Sequence, residues 1–223
     1  QNWFGVWVSR RVDMSHAKKH IRCCARHDLS AVAQRAKAEA VYSDCERAGS
    51  NEDIDVDPMT IRPIVRYPDP RLALPAQPVT VFDGALRELA ADLLETMHAA
   101  PGIGITAPHV GISLRVVVLD LDPVNGARTY VNPEIVWASP EMIMHQEGSV
   151  SMPGVNDDIE RHARVRINYQ DLEGNMQTEE SQGLRAVCHQ HEIDQLNGLF
   201  WIQRLSRLKR ERLVKRFEKI SRR

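Results

Sequence analysis

Toward its C-terminal end the 223-residue chain carries His191-Glu192-Ile193-Asp194-Gln195, one residue away from the H-E-x-x-H pattern. That pattern works because residues i and i+4 share a helix face. Two imidazoles can then meet one metal ion while the glutamate stands beside it as general base. Here position 195 is glutamine, and a His-Glu pair alone reads more simply as a satisfied core histidine on an apolar face. Two other segments bear on that reading. GIGITAPHVG (102–111) places three glycines and a proline directly after a helical stripe, and such a loop lets backbone approach a neighbour closely. EGSVSMPG (147–154) follows a strand-like run and reads as ending in a turn.

The elements that must position these residues can be read from periodicity. Between Thr80 and Ala99, Leu86, Leu89, Ala90, Leu93, Leu94 and Met97 form a helical stripe, with Asp83 as a cap and Pro101-Gly102 as the stop. Strands are expected at 115–121, 129–137 and 142–148. ARVRINYQ (163–170) alternates, with Val165, Ile167 and Tyr169 on one face, and MQTEES begins a return strand after the turn DLEGN. Leu184 to Leu196 reads as a helix with Leu184, Val187, Cys188, His191 and Gln195 on one face, ended by Gly198. Residues 201–223 read as a further helix. This order predicts an α+β fold with mainly antiparallel sheets around the motif-bearing helix and a C-terminal helix.

The three motifs, their order and their spacing resemble those of peptide deformylases. The pattern from Arg161 through Tyr169, Asp171 and Gly174 to Gly183-Leu184 is also similar, so the resemblance covers residues 59 to about 203. The resemblance implies removal of the formyl group from the N-terminal methionine of new polypeptides. It implies a divalent metal, iron or zinc, held at the positions of Ser149, His191 and Gln195, with water in the open fourth place. It gives Glu192 the role of moving the water's proton, and His109 and the backbone N–H of Val150 the role of stabilising an oxyanion.

The chain departs from that family where it matters most, since only His191 of the three ligand positions is kept. A serine hydroxyl stays protonated near neutral pH, and a glutamine amide oxygen is neutral and hard. Each ligand of a structural zinc site averages roughly 3 kcal/mol, so losing two costs on the order of 6 kcal/mol, or about 10⁴-fold in affinity. An efficient deformylase is therefore not expected. Gln195 and His109 stand as though exchanged with the family's His and Gln, so His109 and His191 could bind a metal with Glu192 or Ser149 as a third ligand. A Ser149–His nucleophilic dyad is another option, although no strained elbow surrounds Ser149. His145 and His162 read as surface or edge residues, His189 as facing elsewhere on the helix, His98 as a helix-end cation and Cys188 as core.

Composition is that of an ordinary globular chain, 43% hydrophobic and 26% charged with net charge −1. No apolar run of about 18 residues predicts a membrane span. Cysteines at 23, 24, 45 and 188 do not form a disulfide framework, which suggests a reducing, cytoplasmic setting. Residues 1–58 read as a poorly ordered or spurious extension, or as an Arg-rich targeting segment, with a short helix conceivable at 31–42. The domain organisation expected is thus 1–58, a deformylase-like domain at 59–203, and a basic amphipathic helix at 204–223. That helix carries ten basic and two acidic residues. It reads either as a solvated helix docked by its apolar stripe or as a contact for RNA phosphates. Some bacterial deformylases are thought to meet the ribosome through such a helix, and the tail looks similar. A formyl-methionyl peptide and the ribosome surface are the expected partners. Few aromatic residues accompany the charges, so base-specific recognition and DNA binding are not expected.

Overall fold

The Asp83 carboxylate accepts a hydrogen bond from the Leu86 N–H at 3.2 Å and so starts helix α1, Gly84–Ala99, at the expected cap. The structure is a computed structural model and describes residues 60–222 apart from 123 and 125. The readings made for residues 1–58, including the short helix at 31–42, lie outside the described residues. The buried stripe Leu86, Leu89, Leu93 and Met97 of α1 packs with Ile105, Val116, Val118 and Val131. The Gly102 N–H closes the helix end by donating to the Met97 carbonyl at 2.9 Å.

Five strands form one sheet: β1 (Gly104–Thr106), β2 (Val116–Leu119), β3 (Arg128–Ala138), β6 (Arg164–Gln170) and β7 (Met176–Gln182). Their order is β1-β2-β3-β6-β7, and every neighbouring pair is antiparallel. Strands β4 (Met142–Ser149) and β5 (Met152–His162) make a separate antiparallel hairpin. Helix α2, Leu184–Leu196, packs against both the five-stranded sheet and β5. Its Ala186, Cys188, Ile193 and Leu196 meet Val117, Tyr130, Val165 and Ile167 of the sheet. Because both sides are covered, every residue from Ala186 to Leu196 is buried. The observed architecture is the α+β, mainly antiparallel arrangement that the periodicities predict.

Two local readings need correction. EGSVSMPG does not end in a turn: the chain reverses at Val150-Ser151 and continues as β5, with Pro153 and Gly154 inside the strand. Proline and glycine ordinarily punctuate strands, which hid this one. Gly154 sits at φ +83, a backbone conformation that favours glycine, with the side chain of Ile220 nearby. The tail is not one continuous helix either. A 3-10 turn, Trp201–Arg204, precedes helix α3, Arg207–Ser221. Leu205 between them is extended and buried with Leu213 and Phe217 against Met152, Val155 and Ile159. Burial of this apolar set outweighs helix continuity.

Candidate functional site

Helix α2 buries six polar side chains in its last eight positions, and a buried polar group without a partner is costly. The Gln190 amide donates to the carbonyls of His162 and Ala186, both at 2.9 Å, and its oxygen accepts from the His162 N–H at 3.0 Å. His189 Nδ1 meets Ser181 Oγ at 3.1 Å. The Gln195 amide donates to the Leu72 carbonyl at 2.8 Å. Glu192 is the exception: it is buried, and neither carboxyl oxygen has a hydrogen-bond partner. Burial pushes its pKa up to about 7, with His191 pulling it down and Glu147 pushing it further up. An orphan carboxyl poised near neutrality inside a fold is a mark of chemistry rather than of packing.

His191 is held by a chain of buried charges. Its Nδ1 lies 2.8 Å from Glu147 Oε2, and Glu147 takes Arg161 in a two-pronged pair, at 2.7 Å to Nε and 2.9 Å to Nη2. Arg161 Nη1 continues to Asp194 at 2.5 Å, and Asp194 accepts from Arg204 in turn. Burial works against charge on Glu147, but the hydrogen bonds from Arg161 and His191 bring its pKa down to about 2. Burial also opposes charge on His191, and the Glu147 hydrogen bond and nearby carboxylates outweigh it, so its pKa is raised. The carboxylate fixes the imidazole with Nδ1 as donor, the orientation a histidine needs to present Nε2 to a site.

The glycine loop supplies the opposite wall. Thr106 ends β1, and its N–H donates to His109 Nδ1 at 3.0 Å. That bond occupies the Nδ1 lone pair, so the neutral ring carries its proton on Nε2. Burial, helped by the charge of His191, holds the His109 pKa down to about 3, so the ring is neutral. His109 Nε2 points toward Ser149 Oγ at 3.5 Å, and Ser149 Oγ accepts from the Ser151 N–H at 3.1 Å. Gly104 brings the loop against the helix: a Cβ there would collide with Glu192 Oε1 and lie 2.8 Å from Leu119 Cδ2. The structure therefore brings Ser149, Val150, His109, His191 and Glu192 to one place, while the amide of Gln195 is turned to Leu72.

A divalent metal does not fit this donor set. Ser149 offers a hydroxyl that accepts from the Ser151 N–H, and Gln195 offers an amide whose nitrogen serves Leu72. His109 presents an N–H where a ligand must present a lone pair. Among the described residues, no group of three or more His, Cys, Asp or Glu is placed to hold a metal ion. His109 likewise cannot serve as base for Ser149, because its one lone pair, on Nδ1, is taken by the Thr106 N–H while Nε2 faces the serine.

The sheet with its packed helix and the hairpin enclose a buried His191-Glu192 pair, one residue short of the H-E-x-x-H pattern because position 195 is glutamine. The chain belongs to the peptide deformylase family: the family model described as polypeptide deformylase matches residues 61–211. It is 80% identical over 164 residues to a "Peptide deformylase-like" protein of Bradyrhizobium diazoefficiens, covering 74% of this chain and 96% of the relative. It is 44% identical to a "Peptide deformylase" of Methylocella silvestris, covering 72% of this chain and 85% of that one. A solved peptide deformylase from Legionella pneumophila superposes with TM-score 0.70 at 38% identity, over 73% of this chain and 96% of that one.

Sequence reading missed Arg161 as a site residue and gave Glu147 no role. Had β5 been read through, Ile159 and Arg161 would have alternated inward, and an inward arginine demands a buried acid. Of the other histidines, His98 ends α1 and pairs with Asp120 at 2.9 Å. His145 and His162 lie half-buried in β4 and β5, the two strands of the hairpin. No described helix is long and apolar enough to cross a membrane.

Proposed function

We propose that this member of the family receives the formylated N-terminus of a peptide at the Ser149–His109–Glu192 site and releases formate weakly or not at all. The observation that carries this reading is the coexistence of kept and lost parts. The Glu192 carboxyl remains poised near neutrality, and His109 Nε2–H with the Val150 N–H can donate to a carbonyl oxygen. Ser149 and Gln195, in contrast, are poor donors for the ion that would lower the pKa of an attacking water. The alternative of an active hydrolase with His109 and His191 as rearranged ligands is disfavoured by the hydrogen bond that fixes the His109 tautomer. The test is formate release from a formyl-methionyl tripeptide, with iron, nickel or zinc supplied without oxygen, against Glu192→Gln. Parent and variant are expected to coincide; release that needs both metal and Glu192 would reject impairment and revive the rearranged site.

A ribosome contact is a second, compatible proposal and would place the protein in the cytoplasm. Helix α3 buries Leu213 and Phe217 and leaves Arg212, Lys215, Arg216 and Lys219 exposed. Ion pairs tie down other cations of the helix, including Arg207 with Glu211 and Lys209 with Asp157. Binding through the exposed four would weaken with salt, and reversing their charge should abolish co-sedimentation with ribosomes. Sedimentation unchanged by those reversals would exclude α3 as the contact.

A further inference from the structure

Strand β4 is hydrogen-bonded to β5 on one side and, among the described residues, to no strand on the other. The N–H and carbonyl of His162 are taken by the Gln190 amide at 3.0 and 2.9 Å, on the side of β5 away from β4. In an antiparallel ladder a residue whose main-chain groups point outward stands opposite another whose groups also point outward. Met142, opposite His162, therefore turns its N–H and carbonyl to the open edge, and Met144 and Gln146 do so at the next steps of the pleat. Of these groups the Gln146 carbonyl alone has a partner among the described residues, His145 Nδ1 at 3.0 Å. The same stretch is apolar at the surface. Met142 is 39% and Met144 60% exposed, and Val136 and Trp137 shortly before them are exposed too. No Lys, Arg, Asp, Glu or Pro interrupts residues 142–146. Proteins ordinarily blunt an open edge by short length, charge or proline. The edges of the five-stranded sheet follow that rule, since β1 has three residues and β7 carries Glu179 and Glu180, and β4 departs from it.

We propose that the β4 edge is a homodimer interface, in which two copies of the chain pair antiparallel about a twofold axis at Ile143. What selects a second copy as the occupant is that the strand is complementary to itself in this register. Met142 faces the partner's Met144, Ile143 faces the partner's Ile143, and Glu141 faces the partner's His145. Pro140, which has no N–H to give, falls opposite the partner's Gln146, whose carbonyl is already occupied. Moving the axis to Met144 would instead set Glu141 against the partner's Glu147, two like charges. Pairing joins the two hairpins into one antiparallel sheet and gives the main-chain groups of Met142 and Met144 their missing partners on both chains.

The test is sedimentation equilibrium of the full chain between about 1 and about 200 μM, on the parent and on two double variants. An edge this short makes a small interface, so a dimer dissociating at about 10–100 μM is expected. Met142→Lys with Met144→Lys sets two pairs of like charges across the axis and should weaken the dimer by about tenfold or more. Met142→Glu with Met144→Lys sets two pairs of opposite charges there and should dimerise at least as well as the parent. Within one chain positions 142 and 144 stand opposite His162 and Glu160, and both are exposed, so each variant is expected to fold, which circular dichroism melts check. A parent that stays monomeric at about 200 μM overturns the proposal. So does a doubly lysine-substituted chain that dimerises like the parent, or a charge-matched variant that is as monomeric as the lysine one.

Discussion

Replacing Arg161 by leucine should destabilise the fold by about 3–5 kcal/mol, because it leaves Glu147 charged and buried without its main partner. Arg161 is 3% exposed and Glu147 is fully buried, so no water can substitute for the two-pronged pair. In a domain of this size the loss corresponds to a melting temperature lower by roughly 10 °C. The pH dependence follows from Glu147. Its folded pKa of about 2 lies below the ordinary 4.5, so its contribution is complete above pH 4.5 and is lost as pH falls toward 2. The gap between parent and variant should therefore be wide at pH 7 and narrow at pH 3. Thermal melts at the two pH values check this. A difference below about 1 kcal/mol at pH 7 would mean the network is not the clamp on His191 described above.

The second large effect is on metal affinity. Ser149→Cys with Gln195→His should bind a divalent ion about 10⁴-fold more tightly than the parent, from roughly 3 kcal/mol for each ligand restored. The surroundings are prepared for the change. His191 already has Nδ1 committed to Glu147, and an imidazole at position 195 has an N–H to give to the Leu72 carbonyl that the glutamine amide now serves. Adding His109→Gln removes the histidine from the loop while keeping a side-chain N–H donor there, and is expected not to reduce metal affinity. Zinc titration of parent, double and triple variants checks the ranking. A double variant no better than the parent would mean that the site has moved apart as well as lost its ligands.

The fold was legible where local physics and tertiary packing agree. The Asp83 cap, the α1 stripe and the limits of α2 at Leu184 and Leu196 follow from capping and periodicity. Strand β5 was not, because Pro153 and Gly154 look like punctuation, although Gly154 at φ +83 stays within the strand. The positions of Ser149, His191 and Glu192 were legible through the resemblance, whereas the charge chain through Arg161 to Arg204 joins residues far apart in sequence and appears only in three dimensions. The tautomer of His109 was equally hidden: it depends on one backbone N–H, that of Thr106, three residues away.

The central claim is that the ligand set no longer suits a metal, and it is tested most directly by counting ions on the parent protein. The protein would be purified without oxygen, equilibrated in turn with iron, nickel and zinc, freed of loose ions by gel filtration, and assayed for metal per chain. The structure predicts a stoichiometry near zero for the parent and one ion per chain for Ser149→Cys with Gln195→His. One tightly held ion per chain on the parent, lost on His191→Ala, would contradict it and show that the site is rebuilt rather than degraded.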